Sequence, residues 1–241
     1  MAVQEYRNSL TRMHAQLNTW ELAKDRRSIF LSCYSLMTNN MLAAIQQNRF
    51  RDNVWVHRWL NHFSDFYFAA LEAYEKKAPN LPLPWRMAFD ATKDPNTFIL
   101  QNLLLGINAH INFDLIIALI NMLENEWGSI SAEQMESRFQ DFCTVNEIIA
   151  GTIDLAEDKL LRPYIPLFGL ADDLLGPIDE WMTANLITRW RDRVWNLTVQ
   201  YLNTRDINKQ QEQITYFEVS ATAQARAFLL SDLTDHFTDL L

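Results

Sequence analysis

Leu103-Leu-Leu-Gly-Ile-Asn-Ala-His-Ile-Asn-Phe-Asp-Leu115 is the stretch on which the reading of this chain turns. It sits inside a longer apolar run, Phe98–Leu123, which is about long enough to span a bilayer but is interrupted by Asn, His and Asp. A segment of that length with polar groups at its centre reads as the buried core helix of a helical protein. At ~100° per residue, His110, Asp114 and Asn121 fall within ~40° of one another. Asn108 and Asn112 fall together with Gln101 on nearly the opposite side.

Working outward, the periodicity is helical almost everywhere. A helix is expected over 3–20, with Leu10, Met13 and Leu17 on one side. Another is expected over 27–47, repeating Phe30, Cys33/Tyr34, Met37, Met41 and Ile45 at spacings of three and four. A third starts near Asp52 and ends before Pro79, with an apolar arc through Trp55, Trp59, Phe63, Phe66, Ala70 and Tyr74. Between Pro79 and Pro95 the chain reads as its longest irregular stretch, with one turn near 85–89, and so as a lid or a crossover. The core helix follows over 96–126 and stops at Gly128. Ser131–Gln134 and Thr144–Glu147 both read as capping boxes, implying a short helix at 132–142 and a longer one at 145–161. Pro163 and Pro166 end the latter, and a connector with Gly169 and Gly176 leads to Pro177 at the start of a helix reaching Asn203. A last helix runs over 206–230.

Composition agrees. The 241 residues include 5 Gly and 7 Pro against 49% apolar residues, which argues against a loop-rich β architecture and against disorder. No repeat and no break in composition divides the chain. The expectation is one all-α domain over 1–241, a bundle of six to eight mostly antiparallel helices. The net charge of −9 and the lack of basic runs disfavour nucleic acid and anionic membranes as partners. The first residues lack the apolar stretch of a signal peptide, no segment reads as transmembrane, and Cys33 and Cys143 read as buried free thiols. A cytoplasmic protein is expected.

Chemistry is confined to polar positions inside apolar helices. A buried carboxylate is expensive unless paired, hydrogen-bonded or bound to metal. Asp114 can therefore hold the imidazole of His110 in one tautomer, or both can ligate a cation, or both can belong to a structural polar network. Asn108 and Asn112 read as structural, holding backbone or an amide on a facing helix. Gly106 lets a neighbour approach closely. A second face carries His57, Asn61, Asp65 and Glu72, which offers a base and two acids or is simply wet. His62 is a separate candidate. A third face carries Glu147, Gly151, Asp154 and Asp158, which suits carboxylate ligation of Zn, Mn or Fe or, equally, a solvated surface. Asp172 and Asp173 are further acids on a loop-like segment. In the Trp190-Arg-Asp-Arg-Val-Trp195 run and at the preceding Arg189, a guanidinium can pair with a buried acid or stack on an indole. Trp85, Phe168 and Trp181 are candidates for lining a pocket.

The Asn108-Ala-His-Ile-Asn-Phe-Asp-Leu115 core resembles the Asn-Ala-His-Ile-Asn-x-Asp-Leu mark of an uncharacterised bacterial family, one of the domains of unknown function. Arg49-Phe-Arg-Asp52 and the Arg191-x-x-x-Trp195 pattern extend that likeness over much of the chain. The spacing of His110 and Asp114 is also similar to the metal-ligating His-x-x-x-Asp of the all-helical zinc-dependent phospholipase C and single-strand nuclease superfamily. That second likeness implies a one- or two-metal site drawing on His110, Asp114, His57 and Asp154.

Together these point to a small-molecule enzyme with a lipophilic substrate in an interhelical pocket. His110 and Asp114 form its polar centre. A divalent metal held with His57, Asp154 or Asp158 would activate water or a substrate oxygen. Without metal, His110 would transfer a proton while Asp114 orients its ring. Hydrolysis, cyclisation and isomerisation all fit. The alternative is a non-enzymatic binding or scaffold protein with a structural His/Asp/Asn network. Convergence of His110 and Asp114 with another helix's His or acid around a cavity separates the two readings.

Overall fold

The computed structural model describes residues 8–156 and 184–230, with Asn8, 153–156 and 184–185 described by their backbone alone. The apolar run folds into one rod. It begins as α5 (Ile99–Ala109), passes through a π-helical turn (His110–Asp114), and continues as α6 (Leu115–Trp127). Leu103, Leu105, Ala109, Leu115, Ala118, Leu119 and Leu123 have no solvent exposure at all. Such all-round burial is what a continuously apolar helix needs in water. The rod and Ser28–Gln46 are both long and apolar enough to cross a membrane by length and composition. In the rod, however, 89% of the most apolar window is buried inside the protein.

The other helices surround this rod. They are α1 (Asn8–Ala23), α2 (Ser28–Gln46), α3 (Asn53–Glu75), α4 (Leu83–Ala91), α7 (Ala132–Ala156), α8 (Ala184–Asn203) and α9 (Ile207–Leu230). The rod packs against α2, α3, α4, α8 and α9, while α1 lies on α2 and α3, and α7 on α2 and α8. The result is a single-domain, all-helical bundle of about eight helices, with no strand among the described residues.

Two expectations about elements change. The 79–95 stretch is no loose crossover: α4 occupies nine of its residues, with Pro84 in its first turn, and buries Trp85, Ala88 and Phe89. The supposed break near residue 144 is absent, because α7 runs unbroken from Ala132 to Ala156. Thr144 Oγ1 donates back to the Gln140 carbonyl at 3.0 Å, the intrahelical alternative to capping. The Ser131–Gln134 box does form, with both reciprocal hydrogen bonds. Cys33 and Cys143 are free thiols, half-buried rather than fully enclosed. Expectations for Pro163, Pro166, Gly169, Gly176 and Pro177 lie outside the described residues.

The start of α3 shows how the bundle ends are held. Asp141 of α7 is buried and accepts the backbone N–H groups of Arg51 (2.7 Å) and Asp52 (2.9 Å). Asp52 caps α3 by accepting from Trp55 N–H and pairs with Arg138, which also pairs with Glu126. Three stretches of the chain, 51–55, 126 and 138–141, are joined here by charge-assisted bonds.

Candidate functional site

The π-helical turn is the local irregularity from which the site grows. Leu115 N–H reaches back five residues to the His110 carbonyl, so the turn holds one residue more than an α-turn. His110 and Asp114 remain one above the other, and His110 Nδ1 lies 3.2 Å from Asp114 Oδ2. The extra residue re-phases everything downstream. Asn121, expected on the same face, is instead exposed and reaches His62 Nε2 at 3.4 Å.

Asp114 is held from two sides. The indole Nε1–H of Trp85 donates to the same Oδ2 at 2.8 Å. An indole N–H only donates, so Oδ2 is an acceptor. With Oδ2 as the carbonyl oxygen, His110 presents Nδ1–H to it and keeps its lone pair on Nε2. Both side chains are almost fully buried. Burial pushes the Asp114 carboxyl well above its usual range, partly opposed by the Trp85 bond, and pushes the His110 imidazolium well below its usual value. Both shifts favour a neutral pair, and a neutral acid still offers its carbonyl oxygen to the two donors.

Rings fix the imidazole. Phe63 stacks on it face to face, centroids 3.8 Å apart and planes at 9°. Tyr34 meets it edge-on at 4.3 Å and Phe30 at 5.8 Å. Gly106, one turn earlier, lies under Phe30: a Cβ there would come within 2.6 Å of the Phe30 ring. That is the close approach the glycine was expected to allow.

His110 lines a cavity of about 150 Å³ between α2, α3, the rod, α7 and α8, with largely apolar walls and a partly open rim. Tyr34, Thr38, Ile107 and Arg191 line it too. His110 Nε2, the Tyr34 hydroxyl, the Thr38 hydroxyl and the Trp59 indole N–H are buried without a hydrogen-bond partner among the described residues. Buried polar atoms normally have partners, so four orphans on residues that line one cavity single it out as the candidate site. Burial also pushes the Tyr34 phenol well above its ordinary value, which keeps it a neutral hydroxyl donor.

Among the described residues, the remaining candidates do not gather around His110. His57 is buried, and its Nε2 lies 3.0 Å from Asn61 Nδ2. Asn61 Oδ1 accepts from Ser9 Oγ of α1, so the first helix covers this part of the face. Asp65 and Glu72 on the same face are exposed and pair with Arg12 and Lys76. On α7, Glu147 is exposed beside Arg49 and Gly151 is exposed. The side chain of Asp154 and all of Asp158, Phe168, Asp172, Asp173 and Trp181 lie outside the described residues. Among the described residues, no group of three or more His, Cys, Asp or Glu is placed to hold a metal ion.

The second polar stripe on the rod is structural, as expected. Gln101, Asn108 and Asn112 bond α9 through the Phe228 carbonyl, the Ala221 carbonyl and the Gln224 amide oxygen.

Over the matched span, residues 7–231, the chain fits the profile of a family of unknown function, DUF5995. The chain belongs to that family. No curated protein and no solved structure matches it. The runs that carried the family likeness have clear physical roles in this member of DUF5995. Arg49–Asp52 is the α3 start clamped by Asp141. Arg191–Trp195 places a buried guanidinium at the cavity and a Trp195 ring 5.1 Å from Phe142. The likeness to zinc-dependent phospholipase C rests on the His110–Asp114 spacing alone.

Three participants escaped the sequence reading. Tyr34 reads as part of the apolar repeat and Thr38 is not singled out, although a hydroxyl one turn from another on the core face was a signal. Trp85 was read as a pocket-lining candidate, whereas it anchors Asp114. The buried guanidinium is Arg191. Arg189 and Arg193 are exposed, and Arg193 bonds Tyr216 and Ser220.

Proposed function

We propose that this protein binds a small lipophilic molecule in the interhelical cavity, and that His110 exchanges a proton with it. The observation that carries the reading is His110: the residue lines an apolar cavity, its Nε2 is buried and unpaired among the described residues, and Asp114 backs the other ring nitrogen. A volume of about 150 Å³ matches cavities that take up a benzene-sized apolar molecule. The low basicity of the ring keeps Nε2 unprotonated at neutral pH, ready to accept a proton from a bound acid, enol or hydroxyl. Asp114, held by Trp85, fixes the tautomer. Hydrolysis, cyclisation and isomerisation all use such a base.

The geometry supports the metal-free version of this chemistry. Asp114 Oδ2 already accepts two hydrogen bonds, and His57 faces Asn61. A metal-assisted version draws its remaining ligands from Asp154 or Asp158. Elemental analysis of His110→Ala and Asp114→Ala beside the parent chain separates the two, since a stoichiometric metal lost in both variants overturns the metal-free version.

The binding claim is tested with the small neutral fluorophore naphthalene. Saturable binding is expected, lost in Ile107→Trp, which fills the cavity. Nitrogen-15 NMR of the histidine rings tests the proton claim: His110 should show a bare Nε2 that shifts when a hydroxylic ligand enters. A protonated Nε2 in the free protein overturns it.

A further inference from the structure

Resting on the lipophilic-site reading, we infer that the ligand is an apolar acid whose carboxylate head is held by Arg191 while its hydrocarbon tail lies along the cavity wall.

Arg191 is 2% exposed and lines the same cavity as His110, Tyr34 and Thr38. Its hydrogen-bond partners among the described residues are neutral. Nε donates to Asn146 Oδ1 at 2.5 Å, and Nη2 to the Phe142 carbonyl at 3.1 Å. Nη1 makes no hydrogen bond among the described residues. The guanidinium lies over the Phe142 ring at 4.3 Å and near Trp59 at 5.8 Å. Those faces attract a cation but do not neutralise it. Asp192, its neighbour in the chain, is exposed and forms no ion pair with it. Among the described residues, Arg191 has no carboxylate within ion-pair distance.

Removing a guanidinium from water without a counter-ion is costly, and proteins pair or neutralise such charges. Burial pushes Arg191 down to about 9, which leaves it a full cation at neutral pH. A carboxylate arriving with the ligand would supply the missing charge, and the planar guanidinium suits two oxygens at once. The remaining walls are apolar and suit a short chain or ring. An amine head would meet like charge. An alcohol head would leave the cation uncompensated.

Calorimetric titration of the full chain at neutral pH decides this. The probes are octanoate, octanol and octylamine, which share a tail and differ in the head. Octanoate is expected to bind at least about tenfold tighter than octanol, with octylamine weakest. Arg191→Met should erase the carboxylate preference and leave octanol binding in place. Arg191→Lys should restore part of it. The parent chain's ranking stands alone as evidence should Arg191→Met fail to fold. Equal binding of octanoate and octanol overturns the inference, meaning that an acid of the chain itself serves as counter-ion, and it leaves the lipophilic site standing. Tighter octylamine binding overturns it as well. Binding of none of the three overturns the lipophilic site and this inference together.

Discussion

Trp85→Phe tests whether α4 is part of the site or merely covers it. Trp85 is 1% exposed and packs on Phe89, Tyr67 and Phe30 with centroids 5.2 to 5.6 Å apart. Phenylalanine keeps a ring there but loses the Nε1–H that bonds Asp114 at 2.8 Å. Leaving a buried acceptor short of a donor costs about 1–3 kcal/mol. The missing ring volume adds roughly 1–2 kcal/mol. A loss of ~2–5 kcal/mol is expected in urea unfolding followed by circular dichroism. The two parts separate in a double-mutant cycle with Asp114→Ala. That single change strands the indole N–H, whereas the double variant no longer contains it. The hydrogen-bond share should therefore return as a coupling energy of ~1–3 kcal/mol. Additivity within about 0.5 kcal/mol would mean that the indole bond contributes nothing, and that α4 acts through packing alone.

Further outcomes follow from other contacts. Gly106→Ala gains about 1 kcal/mol of helix propensity but drives a methyl into Phe30, so thermal unfolding should show no net stabilisation, and Gly106→Leu should lose the fold or at least ~3 kcal/mol. Asp141→Ala removes the acceptor of two backbone N–H groups and should cost ~2–4 kcal/mol by urea unfolding, with Asp141→Asn recovering part of it. His110 has its folded pKa depressed, so the unfolded chain binds the extra proton. Its contribution is complete above the unfolded value of about 6.5 and is lost as pH falls below it, at up to ~1.4 kcal/mol per pH unit. His110→Gln should flatten that part of the stability–pH curve, and an unchanged slope below pH ~6 would contradict a neutral buried imidazole. Arg138→Met removes the pairs to Asp52 and Glu126 and the contact over Trp55 at 4.7 Å, and should cost ~1–3 kcal/mol, most of it retained at high salt because the guanidinium is largely buried.

The fold was legible because helix signals repeat and add. Met13, Leu17, Trp55, Trp59 and Phe63 are all buried where their spacing placed them. Gly106, read as a point of close approach, has Phe30 against it. The site was legible only around His110 and Asp114, which stood out as polar groups in an apolar rod. Their partners come from other helices, and spacing within one helix cannot report which ring of a second helix stacks on it. In their own segments Phe63 reads only as part of an apolar arc and Trp85 only as a pocket-lining candidate. The 79–95 stretch was misread because prolines were counted as breakers, although Pro84 sits in the first turn, where its missing N–H has no intrahelical partner to lose. On the acidic face of α7, same-sign spacing describes a wet surface as well as a ligand set; exposed Glu147 beside Arg49 belongs to the surface, and Asp158 and the Asp154 side chain lie outside the described residues.

The π-turn ties these observations together. It places five residues, His110–Asp114, where a regular helix would spend fewer, and it does so inside the most buried rod of the protein. Such a turn lacks an ideal intrahelical ladder and persists when side-chain contacts compensate. Here the compensation is visible on both sides. Asn112 and Asn108 bond α9, and Asp114 receives Trp85. The wide turn thus lets one segment serve two neighbours, with amides toward α9 and imidazole toward the cavity. Removing the extra residue would rotate α6 by about one residue's step, roughly 100°, and bring Asn121 back toward the His110 face. Deleting Phe113, which is only partly buried, tests this directly. If the turn exists to present His110, the deletion should leave a helical but destabilised chain that no longer binds the neutral fluorophore. Full binding after deletion would show that the cavity forms without the wide turn, and that His110 owes its position to Phe63 and Tyr34 instead.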